Sequence, residues 1–132
     1  MKANETKVDK FLATNETTFA IPVYQRNYDW TLFQCKQLLH DIIETGKNDK
    51  TNAHFIGSIV YVHDDVYTAS GLTELTIIDG QQRLTTITLI YIALYRLAKE
   101  LDNQMLVNRI QKTYLINEFA PEEEKLKLKP TE

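Results

Sequence analysis

A chain of 132 residues, 43% apolar and 25% charged, has the length of one domain and the composition of an ordinary globular protein. At this size folding hides roughly 68% of the extended chain's surface, so a core can form without staples. The lone Cys35 excludes a disulfide framework or zinc ribbon, and a net charge of -3 with pI about 5.6 argues against a broad nucleic-acid-gripping face.

The opening MKANETKVDK lacks the apolar run of a secretory signal. The apolar-rich stretch from Leu84 to Ala98 carries Thr85, Thr86, Thr88 and Arg96, and it falls short of the ~20 residues that a membrane span needs. A cytoplasmic location is the expectation. Residues 1–20 are polar apart from Phe11-Leu12, which predict one or two helical turns. Phe19 to Tyr24 reads as extended, since Pro22 pushes its predecessor out of the helical region. Thr31 is a candidate cap for the first long helix, with Gln34 as capping-box partner. Its apolar stripe is Leu32, Cys35, Leu38, Leu39, Ile42 and Ile43, which places Cys35 in the core, and Gly46 is the expected stop.

Phe55 to Val62 and Leu75 to Ile78 read as two strands of an antiparallel hairpin with a long loop. A helix from about Gly80 to Lys99 follows, with so few polar positions that it should be central. Another helix is predicted over roughly 103–117. Lys125-Leu126-Lys127-Leu128-Lys129 alternates at period two, as a half-buried strand does. This strand stops at Pro130, which predicts one domain over 1–132 cut short at its C-terminal end, with surface left open to self-association into a homo-oligomer; an ordinary short edge strand, which Lys and Pro also suit, is the alternative. The expected class is α+β, a small mostly antiparallel sheet packed against several helices.

Chemistry concentrates in two blocks. In Ile77-Ile78-Asp79-Gly80-Gln81-Gln82-Arg83-Leu84 an apolar strand runs straight into the long helix. Asp79 is a candidate N-cap and Gln82 its capping-box partner. Gly80 leaves room for a ligand, and a helix start with its positive dipole end receives anions well. Arg83, one turn in, can reinforce such a site. A well-capped helix with a surface arginine is the alternative. The second block, Ile21-Pro22-Val23-Tyr24-Gln25-Arg26-Asn27-Tyr28-Asp29-Trp30, crowds aromatic, amide and guanidinium groups into a segment without strong helix or strand signals. It can contact a ligand, or it can pin the first helix to the core. His40, His54 and His63 are not at metal spacing, with His54 the best placed of them, and Asp64-Asp65 reads as a solvated loop. The metal ligands stay unknown. No P-loop is present.

The spaced blocks IPVYQRNYDW, HFIGSIV and IIDGQQRLTTITLIYIAL resemble the N-terminal domain of the GmrSD family of modification-dependent restriction endonucleases, from about Phe11 to at least Leu97. The resemblance implies a fold similar to the ParB and sulfiredoxin group. It also implies an NTP-binding and NTP-hydrolysing regulatory module, with a nucleoside triphosphate and Mg2+ as cofactors and DNA reached through a nuclease portion further along. By the same resemblance Asp79, Gly80, Gln81, Gln82 and Arg83 form the nucleotide-site signature, and Tyr24, Gln25 and Arg26 are a candidate second wall. Arg26 or Arg83 would offset phosphoryl charge, and Asp79 or a glutamine would orient water or Mg2+. The HNH-like portion is not in this chain, so DNA cleavage by it is not expected. A non-catalytic nucleotide- or DNA-sensing module is the alternative function.

Overall fold

The sheet is organised around β1 (Thr17–Ile21), whose five residues are all buried. The computed structural model describes residues 7–14, 16–22, 29–47, 59–63, 73–120 and 125–130. Strand order is β2-β3-β1-β4, with β2 spanning Val60–His63, β3 Thr73–Asp79 and β4 Leu128–Pro130. β2 and β3 pair antiparallel, as the hairpin pattern predicts, with Val60 opposite Asp79. β1, however, runs parallel to both neighbours, Thr17 opposite Thr73 and Ile21 opposite Pro130.

The class is α+β, but the sheet is mixed rather than mostly antiparallel. The reason is chain length between partners. More than fifty residues separate β1 from β3, and parallel neighbours need a crossover of a dozen or more. A strand with such neighbours on both sides is covered on both faces, which is why β1 does not alternate.

Five helical pieces complete the described chain. They are α1 (Val8–Leu12), α2 (Leu32–Lys47), α3 (Gln81–Glu100), α4 (Gln104–Ile110) and one π-helical turn over Gln111–Leu115. Leu12, Phe19, Leu38, Leu75, Ile77, Leu84 and Ile87 form the core, with Phe11, Trp30, Ile59, Tyr91 and Tyr114 packed around it.

The start of α2 follows the capping pattern in part: the Thr31 N–H donates to Gln34 Oε1 at 2.8 Å. Gly46 does not end this helix, which runs on through Lys47. Of its apolar stripe only Leu38 is buried, while Leu32, Leu39, Ile42 and Ile43 are exposed and Cys35 is half-exposed rather than core. α3 is central in part, at its start and again at Ala98 in its last turn. Leu84 and Ile87 are buried, whereas Leu89, Leu94 and Leu97 are 45–50% exposed.

α3 ends where Asp102 turns left-handed at φ 55°. The Asn103 N–H reaches Ala98 O and the Asp102 N–H reaches Lys99 O, a Schellman closure with Asp where Gly is usual. Asn103 then caps α4, its side chain accepting from the Leu106 N–H at 3.1 Å. The predicted single helix over 103–117 changes character at Gln111, where the Ile116 N–H bonds to Gln111 O, five residues back. That wider turn carries Tyr114, which stacks on Tyr91 with centroids 4.2 Å apart. Burial, then the neighbouring Tyr114 and Asp9, hold the Tyr91 phenol well above its ordinary range.

Leu128 in β4 packs against the core as the alternation expects, but just ahead of the strand the pattern is inverted. Leu126 is 62% exposed while Lys127 is 3% exposed. The Lys127 ammonium donates to Leu12 O and Thr14 O, each at 3.0 Å, and to Thr113 O at 2.7 Å. All three of its hydrogens are used. One side chain thus ties the end of α1, the π turn and the approach to β4.

Candidate functional site

The carboxyl ends of β1, β3 and β4 lie along one edge of the sheet, because all three run parallel. At such an edge the chain leaves adjacent strands into loops and helix starts, and open α/β sheets bind ligands there. Both chemical blocks begin at this edge. The Tyr24 block follows β1, and the Asp79 block closes β3 and opens α3.

The elbow itself turns on Gly80. Its φ of 92° and ψ of 13° lie in the left-handed region, which costs a residue with a Cβ about 1–2 kcal/mol. Gly80, buried, is the residue that precedes the first helical turn, and Leu84 N–H bonds to its carbonyl at 3.0 Å. The cap predicted at Asp79 is therefore shifted by one residue. Asp79 is the last residue of β3 and is exposed, with no capping bond. Gly80→Ala should lower stability by about 1–2 kcal/mol in a denaturant melt. A variant as stable as the parent would mean that the elbow relaxes without the left-handed turn.

The two glutamines are engaged. Gln81, first residue of α3, donates from Nε2 to Ile78 O at 2.9 Å and to Ile77 O at 3.2 Å, fastening the helix to the strand before it. Gln82 does not close a capping box. Its Oε1 instead accepts from the Asp29 N–H at 2.8 Å and the Trp30 N–H at 3.2 Å. Those are the last two residues of the IPVYQRNYDW block, so the two blocks are joined by side chain to main chain across the elbow. Arg83, in the first turn of α3, is half-buried.

Tyr24, Gln25 and Arg26 lie outside the described residues, as do His54, Asp64 and Asp65. The expected second wall at Arg26 is therefore not described, and of its block the structure places Asp29 and Trp30 beside Gln82. Among the described residues no three His, Cys, Asp or Glu side chains cluster as a metal site, and no helix is long and apolar enough to cross a membrane. Sequence reasoning missed the Gln82 bridge, whose partners are more than fifty residues apart in the chain. The paired blocks were the available signal.

Residues 8–132 match the model of the GmrSD restriction endonuclease N-terminal domain, nearly the whole chain. The chain belongs to that family. No curated protein matches it. Membership in the GmrSD N-terminal domain family suggests a role in a restriction system, and with it an interaction with DNA.

Proposed function

We propose that this GmrSD N-terminal domain is a cytoplasmic regulatory module of modification-dependent DNA restriction that binds a nucleoside triphosphate at the β3–α3 elbow and hydrolyses it. The observation that carries this reading is the Gln82 bridge, which holds the end of the YQR-bearing block against the start of α3 at the carboxyl edge of the parallel strands.

A 20-residue helix directs the positive end of its dipole at that edge, where phosphate oxygens gain most from it. Gly80, buried at the elbow, adds no side chain beside the first helical N–H groups. The main chain of Gln81 to Arg83 would receive the phosphates, with the Arg83 guanidinium offsetting charge on the transferring group. Tyr24, Gln25 and Arg26 would supply the facing wall. Asp79 offers an exposed carboxylate at the strand end, a hard oxygen donor suited to Mg2+, which would neutralise phosphate charge when bound.

Titration calorimetry of the chain with ATP, GTP, CTP and UTP in the presence of Mg2+ should show saturable binding at one site. A phosphate-release assay should show turnover of the nucleotide that binds. Binding without release would reduce the domain to a nucleotide sensor. Absence of saturable binding to all four would remove the nucleotide reading altogether.

A further inference from the structure

We propose that Gln82 is a positioning residue, one whose side chain sets the place of the Asp29–Trp30 end of the IPVYQRNYDW block relative to the α3 start and does not itself touch phosphate. The role in nucleotide binding rests on the function proposed above; the positioning itself does not. A side-chain carbonyl oxygen has two lone pairs, and Gln82 Oε1 faces two donors, the consecutive main-chain N–H groups of Asp29 and Trp30. Its acceptor capacity is spent on that segment, so Oε1 is not the atom that accepts a proton or hydrogen bond from an attacking water.

The residue is itself held in place. The buried Thr86 hydroxyl donates to Gln82 O at 2.7 Å one turn along, and Gln81 fixes the helix start to Ile77 and Ile78. At the other end Trp30 packs against the core. The bridge thus runs from the long helix, through one amide, to the anchored end of the block. Held groups of this kind matter because small displacements of facing walls cost binding and rate steeply.

Trp30 is the single tryptophan, so its fluorescence reports on the bridge directly. In the full chain Gln82→Met keeps length and helix propensity but deletes the acceptor, whereas Gln82→Glu keeps an acceptor oxygen and adds charge. Gln82→Met should shift Trp30 emission to the red and raise its quenching by acrylamide. It should also speed amide exchange at Asp29 and Trp30 roughly 5- to 10-fold, with far-UV helix signal retained. Gln82→Glu should restore the parent values.

Triphosphate titrations with ATP, GTP, CTP and UTP then separate positioning from contact. A positioning role predicts weakening of about 10-fold in Gln82→Met and substantial recovery in Gln82→Glu. Direct phosphate contact predicts the reverse order, since a carboxylate would repel the ligand. That order, or parent-like Trp30 signals in Gln82→Met, overturns the proposal. If the parent chain itself binds none of the four, it is the nucleotide reading that falls, and the Trp30 and amide readouts still decide whether Gln82 holds the segment.

Discussion

Replacing Lys127 with methionine should destabilise the domain by about 2–4 kcal/mol, a large part of the roughly 5–15 kcal/mol that holds a domain of this kind folded. The magnitude follows from opposing effects. Each hydrogen bond from a charged donor contributes roughly 1.5–3 kcal/mol, and Lys127 makes three of them, to Leu12, Thr14 and Thr113 carbonyls. Against that stands the cost of burying an ammonium, several kcal/mol. Methionine fills the same volume and removes the desolvation cost, but it leaves three carbonyls without their donor. A denaturant melt of the variant beside the parent measures the difference. An unchanged midpoint would show that water replaces the ammonium at all three carbonyls and that the clamp adds nothing.

The same lysine should leave a signature in pH. Burial pushes its pKa down from 10.5 to about 8, while the three carbonyls favour the charged form and oppose the fall. Because the native value lies below the unfolded one, the unfolded chain binds more protons between pH 8 and 10.5. Stability therefore rises with pH in that window. Above about pH 10 the Tyr91 phenol works in the opposite sense, since its native pKa is raised by burial and by Tyr114. The clean window is pH 8 to 10. The rise should be present in the parent and absent in Lys127→Met.

Lys127 also shows where sequence legibility stops. Period-two alternation places Leu126 and Leu128 on one face and the lysines on the other, and the pattern alone points the lysines at water. Which face is buried is decided by what lies beneath, here the carbonyls of Leu12 and Thr14 at the end of α1 and of Thr113 in the π turn. Those acceptors come from residues up to 115 positions away, so no local pattern announces them. The parallel pairing of β1 with β3 and β4 was hidden for the same reason, since hydrophobic periodicity reports on faces and not on partners.

Locally dictated features were easier to read. The β2–β3 hairpin and the passage from β3 into a long helix are visible because the period changes abruptly at Asp79-Gly80. The error there was one residue: Asp79 has the side chain of a cap, but the left-handed turn falls on Gly80, whose freedom from a Cβ decides the matter. The periodicity of α3 also overstated its burial. Leu89, Leu94 and Leu97 continue the apolar pattern past the sheet, where no described element covers them fully. In the site, the polar groups set beside apolar segments in both blocks pointed to their meeting, while the bond that joins them, from Gln82 to Asp29 and Trp30, required coordinates.

Arg83→Ala should weaken triphosphate binding by about 10- to 150-fold, the equivalent of losing one charge-assisted contact of roughly 1.5–3 kcal/mol. Arg83 lies in the first turn of α3, half-buried, where a cation gains nothing from the helix dipole and even opposes it. Arg83→Lys should recover part of the affinity, because it restores the charge without the planar two-pronged geometry. Asp79→Ala makes a useful contrast. The cap lies at Gly80, so removing this exposed carboxylate should change stability by less than about 0.5 kcal/mol, and any loss of binding should show in the dependence on Mg2+. Calorimetric titration and a denaturant melt of each variant give the two axes needed. Should Arg83→Ala bind triphosphate like the parent while melting earlier, the arginine serves the fold, and the phosphate role proposed for it falls.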